Sequence, residues 1–172
     1  MKQRRLTLGL PPETLAVSRL EAKAQGPVWA ESGPVVSITR AHVELCIVCE
    51  DAAVPSHVMC QRGLRCLRVL GPLDFAETGV LESMAEPLAR AGISIFALST
   101  YDTDYLLLPE GKLNAAVSAL SEAGHAVRRR VSSWLQGEAL DNQPRLQRGV
   151  QTTRSVAGFH SSRPPGVHLE TD

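Results

Sequence analysis

The chain has no excess of charge, no long apolar run and no recognisable enzyme signature. Its 172 residues carry 18 basic and 18 acidic side chains, so the formal net charge is zero. A general nucleic-acid binder needs a net basic face, and this balance argues against one, leaving only a local patch at Arg128, Arg129 and Arg130. No apolar run approaches the roughly 20 residues that cross a bilayer. The N-terminal MKQRRLTLGLPPE has basic residues, but its apolar run before Pro11 and Pro12 is too short for a secretory signal. The expectation is a soluble, cytoplasmic protein with neither a membrane nor a nucleic acid as partner. No Gly-x-Ser-x-Gly elbow, Walker loop, dinucleotide fingerprint or His-Glu-x-x-His occurs. Nothing therefore indicates catalysis or a cofactor.

Four cysteines cluster at Cys46, Cys49, Cys60 and Cys66. The Cys46-x-x-Cys49 spacing invites a zinc or redox reading. Glu44–Cys49 reads as a strand, however, and residues three apart on a strand point to opposite faces, where they cannot share a metal. Reduced thiols acting as small apolar groups fit better, and they suit a reducing compartment.

The richest stretch is Ile93–Leu108. Two apolar, β-prone runs flank a polar connection containing Ser99, Thr100, Asp102, Thr103 and Asp104, with Tyr101 among them. This pattern predicts a β-hairpin. Hydroxyls and carboxylates in a tight connection between buried strands are well placed to grip a small polar ligand. A weaker copy lies upstream: Ser37–Val48 aligns without gaps on Ala97–Leu108 at an offset of 60, placing Thr39 on Ser99 and Glu44 on Asp104. An internal repeat of this kind implies a doubled architecture.

Three segments follow. In residues 63–131, a strand at Leu64–Leu70 precedes a loop at Leu73–Gly79 and a helix at Thr78–Ala91, stopped by Gly92 and strained by Pro87. The hairpin comes next, then a helix marked by Leu113, Ala116, Val117 and Leu120, and a basic strand at Ala126–Val131. The order β-α-β-β-α-β predicts a ferredoxin-like α+β layer, with helices on one face of an antiparallel sheet. Residues 4–62 read as a shortened version. They have a strand at Leu6–Leu10, a short helical turn from Pro11 through Leu20, a weak strand at Val28–Ala30, the hairpin Val35–Cys49, and room for one or two helical turns in Asp51–Arg62. His125 reads as a surface residue at a strand entry. Residues 132–172 lack a core-forming pattern and read as a disordered or extraneous tail that simply frays, the alternative being that Trp134 and Leu135 dock as a short anchor.

Several ordered motifs resemble the ACT domain family, in particular the small double-ACT proteins related to the CASTOR cytosolic arginine sensors. They are Gly71–Phe75, Thr78–Leu81, Ala85–Ala89, Ala91–Phe96, Ser99–Tyr105 and Ala123–His125, with Ser37–Arg40 and Glu44–Cys49 upstream. The resemblance covers about residues 4–130. It implies tandem ferredoxin-like ACT-type units and a non-catalytic sensor of a free amino acid, acting as a homodimer or on a regulated protein partner. It also implies a site where a strand-to-helix loop meets a hairpin. Asp74, Phe75, Glu77, Thr78, Gly79 and Val80 are the loop candidates, and Ser99, Thr100, Asp104, Thr39 and Glu44 the hairpin candidates. The chemistry agrees with that placement. A ligand carboxylate is held by N–H donors at a helix start, which Gly79 lets it approach, and an ammonium is held by Asp104, Asp74 or Glu44. The rival reading is a structural pairing module with no ligand. A zinc protein is a distant third.

Overall fold

The computed structural model describes residues 5–129, and the segment 132–172 lies outside them. The elements run β1 (Thr7–Gly9), β2 (Thr14–Leu20), β3 (Ser37–Arg40), β4 (Leu45–Glu50), β5 (Cys60–Val69), α1 (Val80–Arg90), β6 (Phe96–Ser99), β7 (Asp104–Pro109), α2 (Leu113–Glu122) and β8 (Ala126–Arg128). Short 3-10 turns occur at Val28–Glu31, Asp51–Ala53 and Glu110–Lys112. The fold is α+β, with all eight strands in one sheet.

The register explains how one sheet serves two ferredoxin-like units. Leu64 on β5 pairs with Leu15 on β2 and with Pro109 on β7, so β2 and β7 lie on opposite edges of β5. Arg68 likewise pairs with Gly9 on β1 and Tyr105 on β7, so β1 shares the edge that β2 occupies. Strands β1 and β2 are thus one antiparallel run along β5, interrupted at Pro11-Pro12. Neither proline has the N–H a ladder needs, and Arg65 crosses the gap by donating to the Pro11 carbonyl at 2.9 Å. The first half reads β5-β2-β4-β3 and the second β8-β1-β5-β7-β6. The N-terminal strand is inserted between the first and last strands of the second half, antiparallel to β5 and parallel to β8.

Two expectations for the first half are corrected. The turn predicted to be helical from Pro11 through Leu20 is instead, over Thr14–Leu20, strand β2, which buries Leu15, Ala16 and Ser18 and pairs on both edges. Cross-strand packing on two sides outweighs the proline signal at its start. The weak strand at Val28–Ala30 is a 3-10 turn. The only α-helices among the described residues are in the second half. There α1 contributes Val80, Met84 and Leu88 and α2 contributes Leu113, Ala116 and Leu120, packed on Leu67, Val69, Leu106 and Leu108 together with Leu6, Leu8 and Leu10 of the N-terminal segment.

Both helices end alike. Gly92 (φ 66°) and Gly124 (φ 87°) adopt the left-handed conformation. The N–H groups of Ile93 and His125 then reach back to the carbonyls of Leu88 and Leu120 at 3.0 and 2.9 Å, the bonds of a Schellman motif. His125 corrects a further expectation, since it is only 5% exposed. Pro87 lies inside α1 and has no N–H for the Ser83 carbonyl one turn earlier. The imidazole Nε2 of His125 sits 2.9 Å from that carbonyl. Its Nδ1 accepts the Leu6 N–H at 3.2 Å, which makes Nε2 the protonated nitrogen and the donor to Ser83. One buried ring therefore satisfies the carbonyl that Pro87 orphans and ties down the N-terminal strand.

Leu8→Ala should cost about 2–5 kcal/mol in urea unfolding, as for a fully packed leucine, although residue 8 lies in a three-residue N-terminal strand. His125→Ala should cost about 1–3 kcal/mol by leaving buried backbone groups unpaired. Pro87→Ala supplies the missing N–H, so the His125→Ala penalty should shrink in that background. A double-mutant cycle with additive costs would refute the link.

Candidate functional site

The loop from β5 to α1 and the turn of the β6–β7 hairpin face one another. Their backbones are joined by the Leu73 N–H donating to the Asp102 carbonyl at 2.9 Å. The buried Thr103 hydroxyl anchors the hairpin by donating to the Val69 carbonyl at 2.7 Å. Within the turn, the Thr100 N–H donates to the Thr103 carbonyl at 2.9 Å, and Tyr101 and Asp102 form the apex. In the loop, Asp74 caps its own turn: Oδ1 accepts the Ala76 N–H at 2.9 Å and its carbonyl accepts the Glu77 N–H at 2.8 Å.

Between these segments lies a cavity of about 360 Å³ lined by loop, helix start and hairpin turn. Of the residues singled out from sequence, Asp74, Phe75, Glu77, Gly79, Val80, Ser99, Thr100 and Asp104 line it. Thr78 lies between two lining residues and is not itself among them. Nor is it the helix cap, which is Gly79 in the left-handed conformation (φ 76°), with no side-chain cap bond. The first N–H groups of a helix have no partner within it, so this start offers donors to a carboxylate. On the opposite wall, Asp104 Oδ1 accepts the Ser99 hydroxyl at 2.6 Å. The lining includes four carboxylates, Asp74, Glu77, Glu82 and Asp104, and no Lys, Arg or His. At the mouth the rings of Phe75 and Tyr101 stack with centroids 5.9 Å apart, although they are 82% and 80% exposed. Leu73, Leu81, Glu82, Tyr101 and Thr103 complete the wall; Tyr101 and Thr103 stand in the polar connection read from sequence, but none of the five was among the site candidates. Glu82 could have been found, because it lies in the first turn of a predicted helix.

Thr39 and Glu44 are not brought to this cavity. They belong to the β3–β4 hairpin, and three strand steps separate β4 from β7, about 14 Å at the usual spacing. Glu44 is instead ion-paired with Arg19 at 3.1 Å. The residue correspondence behind their selection is also corrected. Strands β3 and β6, strands β4 and β7, and the 3-10 turns at Asp51 and Glu110 each begin 59 residues apart, not 60. At that offset Arg40 corresponds to Ser99, Glu44 to Thr103, and the buried Leu45 to Asp104. A slip of one residue exchanges the two faces of every strand, so the carboxylate of Asp104 has no counterpart in the first half.

The cysteines are free thiols. Cys49 lies in a buried cluster with Ala16 and Ile47, whereas Cys46 faces Thr39 across the β3–β4 ladder. Burial, assisted by neighbouring acidic groups, raises the Cys49 thiol, and burial pushes Cys66 up to about 12. Neither is a ready thiolate at neutral pH. Burial also raises the Tyr105 phenol, opposed by Arg68, whose guanidinium lies 5.8 Å from the ring centroid.

A family model described as ACT domain matches residues 59–122. A second, described as an N-terminal domain, matches residues 13–57. The crystal structure of an Agobacterium tumefaciens protein is 37% identical, with a TM-score of 0.71 over 74% of this chain and 96% of that one. The chain belongs to the ACT domain family. Among curated relatives, the human "Cytosolic arginine sensor for mTORC1 subunit 1" is 39% identical over 57 residues, which are 33% of this chain and 17% of the sensor. The chain thus aligns with about a sixth of that relative's length. Aspartate kinase from Synechocystis shares the fold alone, at 13% identity and a TM-score of 0.51 over 74% of this chain and 28% of the enzyme. ACT-type architecture accounts for the position of the cavity, where a strand-to-helix loop meets a hairpin. No helix among the described residues is long and apolar enough to cross a membrane.

Gly79→Ala should lower stability by about 1–2 kcal/mol, because a side chain at φ 76° is strained. An added Cβ would meet nothing closer than Glu82 Oε2 at 3.9 Å. The loss should therefore appear in thermal unfolding rather than as a filled cavity. An unchanged melting temperature would show that the helix start relaxes freely.

Proposed function

We propose that the chain is a non-catalytic regulatory module of the cytoplasm that binds a free amino acid in this cavity and signals by a change of conformation or pairing, as a homodimer or on a protein partner. One observation carries the reading: a helix start, whose cap residue Gly79 makes no side-chain cap bond, faces the Asp104 carboxylate across a cavity the size of a small ligand. A free amino acid has the matching pair of groups. Its carboxylate suits the start of α1 beside Gly79, where the left-handed backbone leaves the approach open. Its ammonium suits Asp104, which the Ser99 hydroxyl orients. Membership of the ACT family and a curated relative named as an arginine sensor support the assignment. Coupling between ligand and response of about 1–3 kcal/mol is the usual scale for such devices.

The test is titration calorimetry of the full chain against the free amino acids, repeated with Asp104→Ala. A charged hydrogen bond is worth about 1.5–3 kcal/mol, so affinity should fall about tenfold or more. Melting of the unliganded protein should change little, since Asp104 is bonded only to the exposed Ser99 hydroxyl among the side-chain contacts. If no amino acid binds, the protein is a pairing module without a ligand. If Asp104→Ala binds normally, the ammonium is held elsewhere.

A further inference from the structure

The helices and the 3-10 turns that join a core all do so on one face of the sheet. Helices α1 and α2 pack on Leu67, Val69, Leu106 and Leu108. Ala30, in the turn at Val28–Glu31, and Val54, just after the turn at Asp51–Ala53, pack on Ala16 and Ile47. Neighbouring strand residues point to opposite faces, and Leu15, Val48, Cys66 and Leu107 form a separate cluster on the other side. Neither helix contributes to that cluster, and Leu64, Leu98 and Tyr105 at its border are only partly buried. Phe96, two residues before Leu98 on β6, is 37% exposed. The sheet thus has an apolar stripe with no helix over it among the described residues.

The chain leaves the described fold beside this stripe. Gly9 pairs with Arg68 on β5 and Arg128 on β8, and Leu15 pairs with Leu64 on β5 and Glu50 on β4. Strands β8 and β4 therefore share one edge of the β1–β2 run, and β8 points toward the end of β4. Pro11 and Pro12 stand between them without the N–H groups that would extend the ladder, so the chain after β8 turns out of the sheet there. On the helix side the turn at Asp51–Ala53 already carries Val54 into the core. The other side leads to the uncovered stripe. Glu13 stands in the same gap, and its Oε2 is buried with no hydrogen-bond partner among the described residues. The departing chain brings Arg130, then Val131, Trp134 and Leu135. We propose that residues 131–135 fold back across the uncovered face, with Trp134 and Leu135 packed over Leu64, Cys66 and Leu107 and with Arg130 against Glu13. The chain then supplies its own third layer. The reach suffices: the six residues from Arg128 to Trp134 span up to about 20 Å, and β7 lies three strand steps from β8, about 14 Å. A carboxylate out of water needs a charged or hydrogen-bonding partner, and an arginine supplies both. A tryptophan buries a large apolar area for one residue. A face covered in this way is closed to stacking on a second sheet.

Two measurements on the full chain test this. Trp29 and Trp134 are its two tryptophans, so Trp29→Phe leaves Trp134 as the sole fluorescent reporter. In dilute protein its emission should be blue-shifted, and acrylamide should quench it several-fold less than it quenches free N-acetyltryptophanamide. Arg130→Glu and Leu64→Asp should each shift the emission to the red and restore quenching, with circular dichroism confirming that the Leu64 variant is folded. Ile38→Asp should do neither, because Ile38 pairs with Ile47 and lies on the opposite face. In the second measurement, Trp134→Ala in the otherwise natural chain should melt below the parent. Emission and quenching like those of the free indole overturn the proposal, as does an unchanged melting temperature. Shielding that survives both Arg130→Glu and Leu64→Asp places Trp134 elsewhere and overturns it too. Shielding that appears only as the protein concentration rises assigns the face to a second copy of the chain instead.

Discussion

Strand β5 is hydrogen-bonded along both edges, and each half of the sheet is built outward from it. Its early residues close the first half against β2, and its later residues open the second against β7 and β1. Its side chains divide accordingly. Leu67 and Val69 join the helix-covered core, whereas Leu64 and Cys66 pack with Leu15, Val48 and Leu107 on the other face. Period-2 alternation makes both sets available from one segment. The inserted β1 depends on the same strand, because its three residues have ladder partners only in β5 and β8.

The cavity is a consequence of this framework. It forms where β5 ends, its chain turns into α1, and the neighbouring hairpin folds over. Thr103, bonded to the last carbonyl of β5, holds the hairpin in place. The polar groups of the site therefore stand on a hairpin and a helix start whose positions are set by buried apolar contacts, which holds the start of α1 opposite Asp104. In the first half the helices are missing, and Arg40 at the end of β3 donates to the carbonyls of Ala22 and Ala24.

Much of the second half was legible from sequence. The α1 stripe Val80, Met84, Leu88, the α2 stripe Leu113, Ala116, Leu120, and the glycines at 92 and 124 are local signals, and local hydrogen bonding realises them. The loop at 74–79 and the β6–β7 turn, which line the cavity, were legible too, because turn-forming hydroxyls and carboxylates between apolar strands have few alternative placements. The first half was less so. Pro11 and Pro12 resemble a helix entry, and only the partners on both edges of Thr14–Leu20 make that segment a strand. His125 looked like a surface residue because its two backbone partners, Leu6 and Ser83, are 119 and 42 residues away.

The sequence by itself determined the α+β class, the two hairpins, the helices and the polar character of the loop at 74–79, because these follow from short-range periodicity and turn chemistry. Tertiary structure decided which residues correspond between the halves. The gapless offset of 60 matches hydroxyl to hydroxyl and carboxylate to carboxylate, but the ladders repeat at 59. Side chains alternate across a strand, so one residue of slip moves each to the opposite face, and that register is set by pairing with distant strands. For that reason only the folded chain separates Glu44, paired with Arg19, from Asp104, which faces the cavity.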